Sequence, residues 1–452
     1  MRKIYLLAVG LLSMASANAQ VSFGHIQNQI SRGKDGINVF DVKKDTVEFK
    51  GISVDLGGAF AMQFQALNSF NDQTEGTQAA SGTVKAYSNY RLNNLENNFN
   101  LPEANMVIGA QLADGVRVNL DIYLSARHHQ ETWVKGGYLQ IDKLDFIKKD
   151  LLADVMKYTT IKVGYGENNY GDAHFRRTDN GNAMMNPFIE GNIMDSFQTD
   201  MGMEVYYNRN GWVSMLGVTN GKLNQSVAET SSNPSPTILA KFGYDKQLND
   251  DLRVRLTGSY NHNARMSSNP WSSDRSGSRY FGVMSHQAYT YGGAAVANNF
   301  DPVANKDTGR YQPGYKQYYT AFMFNPFVKY KGLEFFGTIE TTSGGASATD
   351  RSQSKSVNQF VGDVVYRFGN TEQFYLGARY GTVTGELEQQ NVDASINRVE
   401  TSAGWFMTKN ILAKLAYVNQ TYNDFSQSSA AALNDNYGGH FNGIMFEAAI
   451  AF

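Results

Sequence analysis

Between positions 167 and 198 the sequence gathers groups able to handle charge: Asp172, His174, Arg176, Arg177 and Asp179 fall in one short stretch. Two adjacent guanidiniums beside carboxylates and an imidazole suit the holding or steering of ions. Asp179-Asn180-Gly181 and Asn186-Pro187-Phe188 punctuate the stretch as turns, and a loop this long is more often functional than filler. Its plainer reading is a solvated surface loop. Asp179-Asn180-Gly181-Asn182 also offers oxygen ligands, but without the spacing of a calcium loop, so a turn is the simpler reading and no metal or cofactor is expected. His128, His129 and Glu131 supply parts of a hydrolytic site, an imidazole to activate a serine or water and a carboxylate to orient it. Adjacent histidines, however, point to opposite sides of a strand, and no enzymatic activity is expected.

The elements that must carry these groups read as strands. Val118, Leu120, Ile122 and Leu124 alternate with Arg117, Asn119, Asp121, Tyr123 and Arg127, and Asp114-Gly115 supplies a tight turn before them. Leu252, Val254 and Leu256 alternate in the same way with Arg253 and Arg255, and Leu333, Phe335 and Ile339 with Glu334 and Glu340. About sixteen such segments recur from position 48 to Phe452, the last with Ile444, Phe446, Ala448, Ile450 and Phe452 on one face. Connections alternate strictly between long and short, which a β-sandwich has no reason to do. Charges sit on one parity and are absent from the other. The expectation is an all-β, transmembrane antiparallel β-barrel of about sixteen strands over 48–452, apolar outside and wet inside, its first strand paired with its last. Two misfits point to bulges: Lys135 shares the parity of Trp133 and Leu139, and Pro326 sits within a strand. Residues 142–158 carry Phe146, Leu151, Leu152, Val155 and Met156 in the pattern of a short amphipathic helix.

Composition narrows the setting. Forty basic residues against 42 acidic ones leave a net charge of -2, so nothing favours nucleic acid. With no cysteine there is no disulfide framework and no thiolate chemistry. Arg2 and Lys3, the apolar run from Ile4 to Leu12 and Ala17-Asn18-Ala19 make a cleavable signal peptide over 1–19. Residues 20–47 lack a sustained apolar period and read as an N-terminal periplasmic segment.

The closing strand with its terminal Phe452 resembles that of Gram-negative outer-membrane barrels, where it serves as the signal to the assembly machinery. The loop 167–198, after the fifth strand, resembles in position the constriction loop of sixteen-stranded general porins. Its run 169–195, with Arg-Arg, Asp-Asn-Gly and Asn-Pro-Phe segments, is similar to porins related to the phosphate-selective O and P family. The resemblance implies an outer-membrane location among lipid and lipopolysaccharide, a homotrimer, and passive diffusion of small polar solutes and ions. It also implies a lumen narrowed by Asp172, His174, Arg176, Arg177 and Asp179. A basic wall of Arg117, Arg127, Arg253, Arg255, Arg367, Arg379 and Arg398 would then face Asp55, Asp121, Glu334, Glu340 and Asp363. The bland alternative is that each inward Arg pairs with a neighbouring carboxylate and stiffens the wall. An anion-selective (phosphate) channel is one alternative function. The other is an adhesin or ligand-binding barrel using the long extracellular loop 263–317, which holds Trp271, Arg275, Arg279, Tyr280, Tyr289, Tyr291 and Arg310.

Overall fold

The computed structural model describes residues 22–24, 26–41, 44–73, 76–80, 83–125, 132–177, 182–222, 234–266, 269–271, 278–300, 308–345, 352, 354–389, 391–429 and 432–452. The expected leader, the rim residues Arg127, His128, His129 and Glu131, the turn residues Asp179, Asn180 and Gly181, and Arg275 lie outside them.

Seventeen strands share one sheet, and setting aside the two-residue Ser22–Phe23 leaves sixteen. They are β1 (Ser53–Phe70), β2 (Asn98–Ala113), β3 (Val116–Ser125), β4 (Trp133–Ile141), β5 (Thr159–Glu167), β6 (Thr199–Arg209), β7 (Trp212–Thr219) and β8 (Thr237–Gln247). There follow β9 (Leu252–Asn263), β10 (Tyr318–Tyr330), β11 (Leu333–Gly345), β12 (Lys355–Phe368), β13 (Phe374–Gln389), β14 (Val392–Thr408), β15 (Ile411–Asn423) and β16 (His440–Ala451). Each pairs antiparallel with the next, and β16 returns to β1 from Ala59↔Ala451 to Phe70↔His440. Phe452 and Gly58 extend that seam by exchanging amide-to-carbonyl hydrogen bonds at 2.9 Å in both directions. The ring is closed, so no backbone edge is left for lipid to leave unsatisfied.

Period two decides which side each residue meets. Leu216, Phe242, Leu376 and Ile444 are 70, 61, 56 and 51% exposed on the outer face, whereas Arg255, Gln359, Lys414 and Glu447 are 0 to 2% exposed within. That is the reverse of a soluble sheet and the arrangement a bilayer demands. Tight turns follow local chemistry. Asn210 and Gly211 both take positive φ (55° and 89°), as a two-residue hairpin between right-twisted strands requires.

Both misfits resolve. Asp121 pairs with Gly136 and Ile122 with Val134, so Lys135 is the extra residue of a bulge and escapes the parity of its neighbours. Pro326 interrupts the β10–β11 ladder, and the Asn325 side-chain amide donates to the Gly337 carbonyl at 3.0 Å. A Cβ at Gly337 would lie 2.8 Å from the proline ring, so glycine makes the room. The helix expected over 142–158 shrinks to the single turn α1 (Ala153–Met156). Leu152 before it adopts φ 53°, which ends the helical period, and only Met156 of its apolar residues is buried while Phe146, Leu152 and Val155 stay exposed.

Residues 26–41 lie inside the ring, at the end where the short turns are. Lys34 N–H donates to the Lys409 carbonyl at 2.8 Å, and Gln27 reaches Asp114 at 3.1 Å. Asn28 donates to Asp142 at 2.9 Å. At the opposite end, Gly76–Ala80, Thr83–Ser88, Tyr289–Tyr291 and Ala294–Val296 build a separate four-stranded sheet. Beneath it Tyr87, Tyr90, Tyr289, Tyr291 and Leu433 cluster.

Candidate pore and its lining

The loop 167–198 turns into the barrel instead of standing over it, because its apolar residues have nowhere drier to go. Phe188, Ile189 and Met194 are fully buried against inward residues of β12–β14, with Ile193 beside them. A chain crossing a lumen carries polar backbone that must be satisfied, and the wall supplies the partners. Lys414 Nζ donates to the carbonyls of Ala183, Asn186 and Phe188 at 3.0, 3.2 and 2.9 Å. Tyr375 Oη donates to the Pro187 carbonyl at 3.0 Å, Arg379 to that of Glu190 at 2.8 Å and Arg398 to that of Gly191 at 2.9 Å.

The loop's own charges anchor it at the near side. Asp172 accepts from Arg255 Nε at 2.7 Å, from Thr257 at 2.6 Å and from Lys241 at 3.0 Å. Burial alone would push its carboxyl upward, but Arg255 and Lys241 outweigh that and hold it well below the usual carboxylate range. Arg176 donates to Asn38 at 2.6 Å, stands 3.8 Å from both Glu334 and Asp363, and covers the Phe336 ring at 4.8 Å. Arg177 grips Asp195 with two bonds of 2.6 and 2.9 Å and also meets Glu167. His174 lies tilted against the Phe175 ring at 3.9 Å, and burial followed by the nearby cations of Lys241 and Arg177 holds its imidazole well below the usual range.

The inward arginines and carboxylates of the wall stand where parity puts them, and most are already engaged. Arg253 binds Asp245 through bonds of 2.9 and 2.7 Å, and Arg255 adds Asp41 at 2.7 Å to Asp172. Arg367 meets Glu334 at 2.8 Å and Arg379 meets Asp363 at 2.7 Å. Arg398 donates to Gln420 at 2.7 Å, and Glu340 accepts from Tyr170 at 3.1 Å and Trp271 at 3.3 Å. Most of these lie under the inward loop or under residues of 263–317, whereas Arg253 is covered by Asn38 and Phe40. That long loop too folds inward: Trp271, Arg279 and Tyr280 are buried, Arg279 pairs with Glu103, and Arg310 meets Glu190 at 2.7 Å.

Open space remains on the other side. A cavity of about 370 Å³ runs along the inner faces of β2–β7, bounded opposite by the inward loop and by residues 29–39. Of the residues expected to line a pore, Arg117, Asp121 and His174 reach it. Reasoning from sequence passed over Arg32, Lys135, Lys162, Glu167, Asp200 and Glu204, which also line it. Lys162 and Glu204 are cross-strand partners, so the alternation on β5 and β6 held the clue. Lys135 needed the bulge. The lining mixes signs: Lys162 sits over the Tyr138 and Tyr206 rings at 5.3 and 5.1 Å, while Asp200 is held by the neutral donors Asn168, Gln198 and Thr219. Asp55, on β1, is paired with Arg32 at 2.6 Å.

No family model and no curated protein matches the chain. Solved structures do. OmpT folded in vitro, an outer membrane protein of Vibrio cholerae, is 9% identical with a TM-score of 0.50 over 90% of this chain and 99% of that one. The anion-selective porin from Comamonas acidovorans is 11% identical, TM-score 0.48, over 89% of this chain and 100% of that one. The outer membrane channel DcaP of Acinetobacter baumannii is 10% identical, TM-score 0.48, over 90% of this chain and 99% of that one. At such identity the likeness to OmpT is one of fold: this chain is a closed, sixteen-stranded transmembrane barrel.

Proposed function

We propose that the chain is an outer-membrane channel of the porin type, passing small hydrophilic solutes and ions by diffusion between the inward loop and β2–β7. The observation that carries this reading is the polar, charge-lined cavity inside a ring whose outer face is apolar. Water fills such a lumen, and the lining charges and the width set what passes. Because residues 26–41 and both long loops occupy much of the ring, its conductance falls well below that of an unobstructed barrel of the same strand number. Cations and carboxylates share the lining, so the preference between anions and cations is weak. The fold shared with an outer membrane protein supports the location in a Gram-negative outer membrane, reached after loss of the leader 1–19, with lipid, lipopolysaccharide and the assembly machinery as partners.

Planar-bilayer recording of the purified protein tests this. Small, voltage-independent current steps with a reversal potential near zero in a KCl gradient are expected. A reversal potential displaced strongly toward chloride, with phosphate reducing the current, would favour an anion-selective channel instead. An insulating barrel would move the reading to ligand binding or adhesion.

We also propose a homotrimer. Outward residues along the middle of β2–β4, among them Met106, Ile108, Ala110, Leu120, Ile122 and Leu139, are aliphatic and matched across the strands, and the exposed ring of Phe99 stands at the start of β2, toward the rim. Trp212, Phe242, Phe322, Tyr366 and Trp405 are exposed on the remaining circumference. Rings belong where a barrel meets the lipid interface, and a wall facing protein needs none.

A further inference from the structure

We infer that residues 26–41 are a built wall of the passage, and that Arg32, held by Asp55, is a charge that sets which small ions cross it. The inference rests on the channel reading above and adds the part of the chain that restricts the channel. Gln29, Ser31, Arg32, Gly36 and Val39 line the same cavity as the strands β2–β7.

Anchors spread around the ring distinguish a wall from a tail lying in a hole. Gln27 N–H donates to Gln111 at 2.8 Å, Asn28 reaches Asp142, Lys34 reaches the turn at Lys409, and the Asn38 carbonyl accepts from Arg253 at 3.0 Å. Phe40 is wholly buried between Phe327 and Phe336, at ring distances of 5.1 and 6.0 Å, with the Arg255 guanidinium 5.0 Å from its face. The wall opposite is shaped to receive the segment. A Cβ on Gly57 would lie 2.2 Å from the Arg32 guanidinium, so β1 is bare where that side chain lies. Arg32 and Asp55 keep 17 and 29% of their side-chain surface exposed, unlike the buried pairs beneath the inward loop, and Arg32 lines the cavity, so its charge faces the water of the passage while Asp55 holds it from behind. A charge in contact with the permeating ion, inside a low-dielectric ring, acts on it far more strongly than one at a screened surface.

Two variants and one chemical probe test the inference, each checked for a folded barrel by its heat-dependent shift on a gel. Arg32→Glu should move the permeability ratio toward potassium by about twofold or more. Ser31→Cys introduces a thiol into a chain that has none, and a sulfonate-bearing thiosulfonate reagent should then cut the single-channel current. Wild-type steps with both variants indistinguishable from them would overturn the inference and leave the channel reading intact. If the wild type insulates, replacing 26–41 by a Gly-Ser linker decides: onset of current supports the wall as a plug, and continued silence overturns both readings.

Discussion

At the scale of residues, the Asp172–Arg255 contact determines most. Arg255 is fully buried and meets Asp172, Asp41 and Asp245. Removing one member of a buried ionic cluster leaves the others uncompensated, at a cost of about 3 to 5 kcal/mol. Arg255→Ala should therefore free the near end of the inward loop, seen as new protease cuts within 167–198 and an earlier loss of the compact form on heating. Because the carboxyl of Asp172 is depressed in the folded chain, its contribution is complete above the unfolded value of about 3.9 and fades only as pH falls through the lower folded value. Protease resistance of the loop should then be the same at pH 5 as at pH 7, and its loss between them would show that another group governs the anchor. Parity made the inward side of Arg253, Arg255, Arg367 and Arg379 legible in the sequence. What covers them was not, because inward describes a side of a strand whereas pore-lining depends on which sector of the lumen other segments leave empty.

Among elements, strands and connections were the most readable part of the chain. Length, period and the long-short alternation located all sixteen, with ends displaced by a few residues at β1, β2, β13 and β14, where a polar lead-in or a loop blurs the period. Residues 26–41 were unreadable for a definite reason. Their buried apolar residues Ile26 and Phe40 have no repeating neighbours, since the segment holds one three-residue 3-10 turn (Lys34–Gly36) and no long strand, and is buried by a lumen that exists only once distant strands have met. The inward loop was recognisable by its length and its turn residues, yet its apolar run from Ala183 to Met194 was the better predictor of where it goes. Truncating Phe40 to Ala opens a hole among Phe175, Phe327 and Phe336 and should cost about 3 to 5 kcal/mol of the segment's docking. Hydrogen exchange over 26–41 should quicken while that of β9–β12 stays slow, and equal quickening in both would mean that Phe40 supports the barrel itself.

For the whole molecule, the ring is sealed by its backbone seam and by side chains within it. Gln63 donates to Glu447 across the β1–β16 junction at 2.7 Å, and Lys414 meets the same carboxylate. Closure leaves no barrel edge for strand pairing, so association within the bilayer rests on side chains of the outer face. Ala110→Trp, on the aliphatic sector of β2, should abolish the trimer band on an unheated gel while leaving the monomer folded and conducting. Persistence of the trimer would place the subunit contact on another part of the circumference.

The segment laid within the mouth also has a history. Lys34 reaches the carbonyl of Thr371, 337 positions later in the chain, so a piece made early waits for partners made much later. Loops of that span close at modest entropic cost, but slowly. A newly inserted cylinder should consequently leak more than a matured one, and current through freshly refolded protein should decline over time as its own leading segment settles into place.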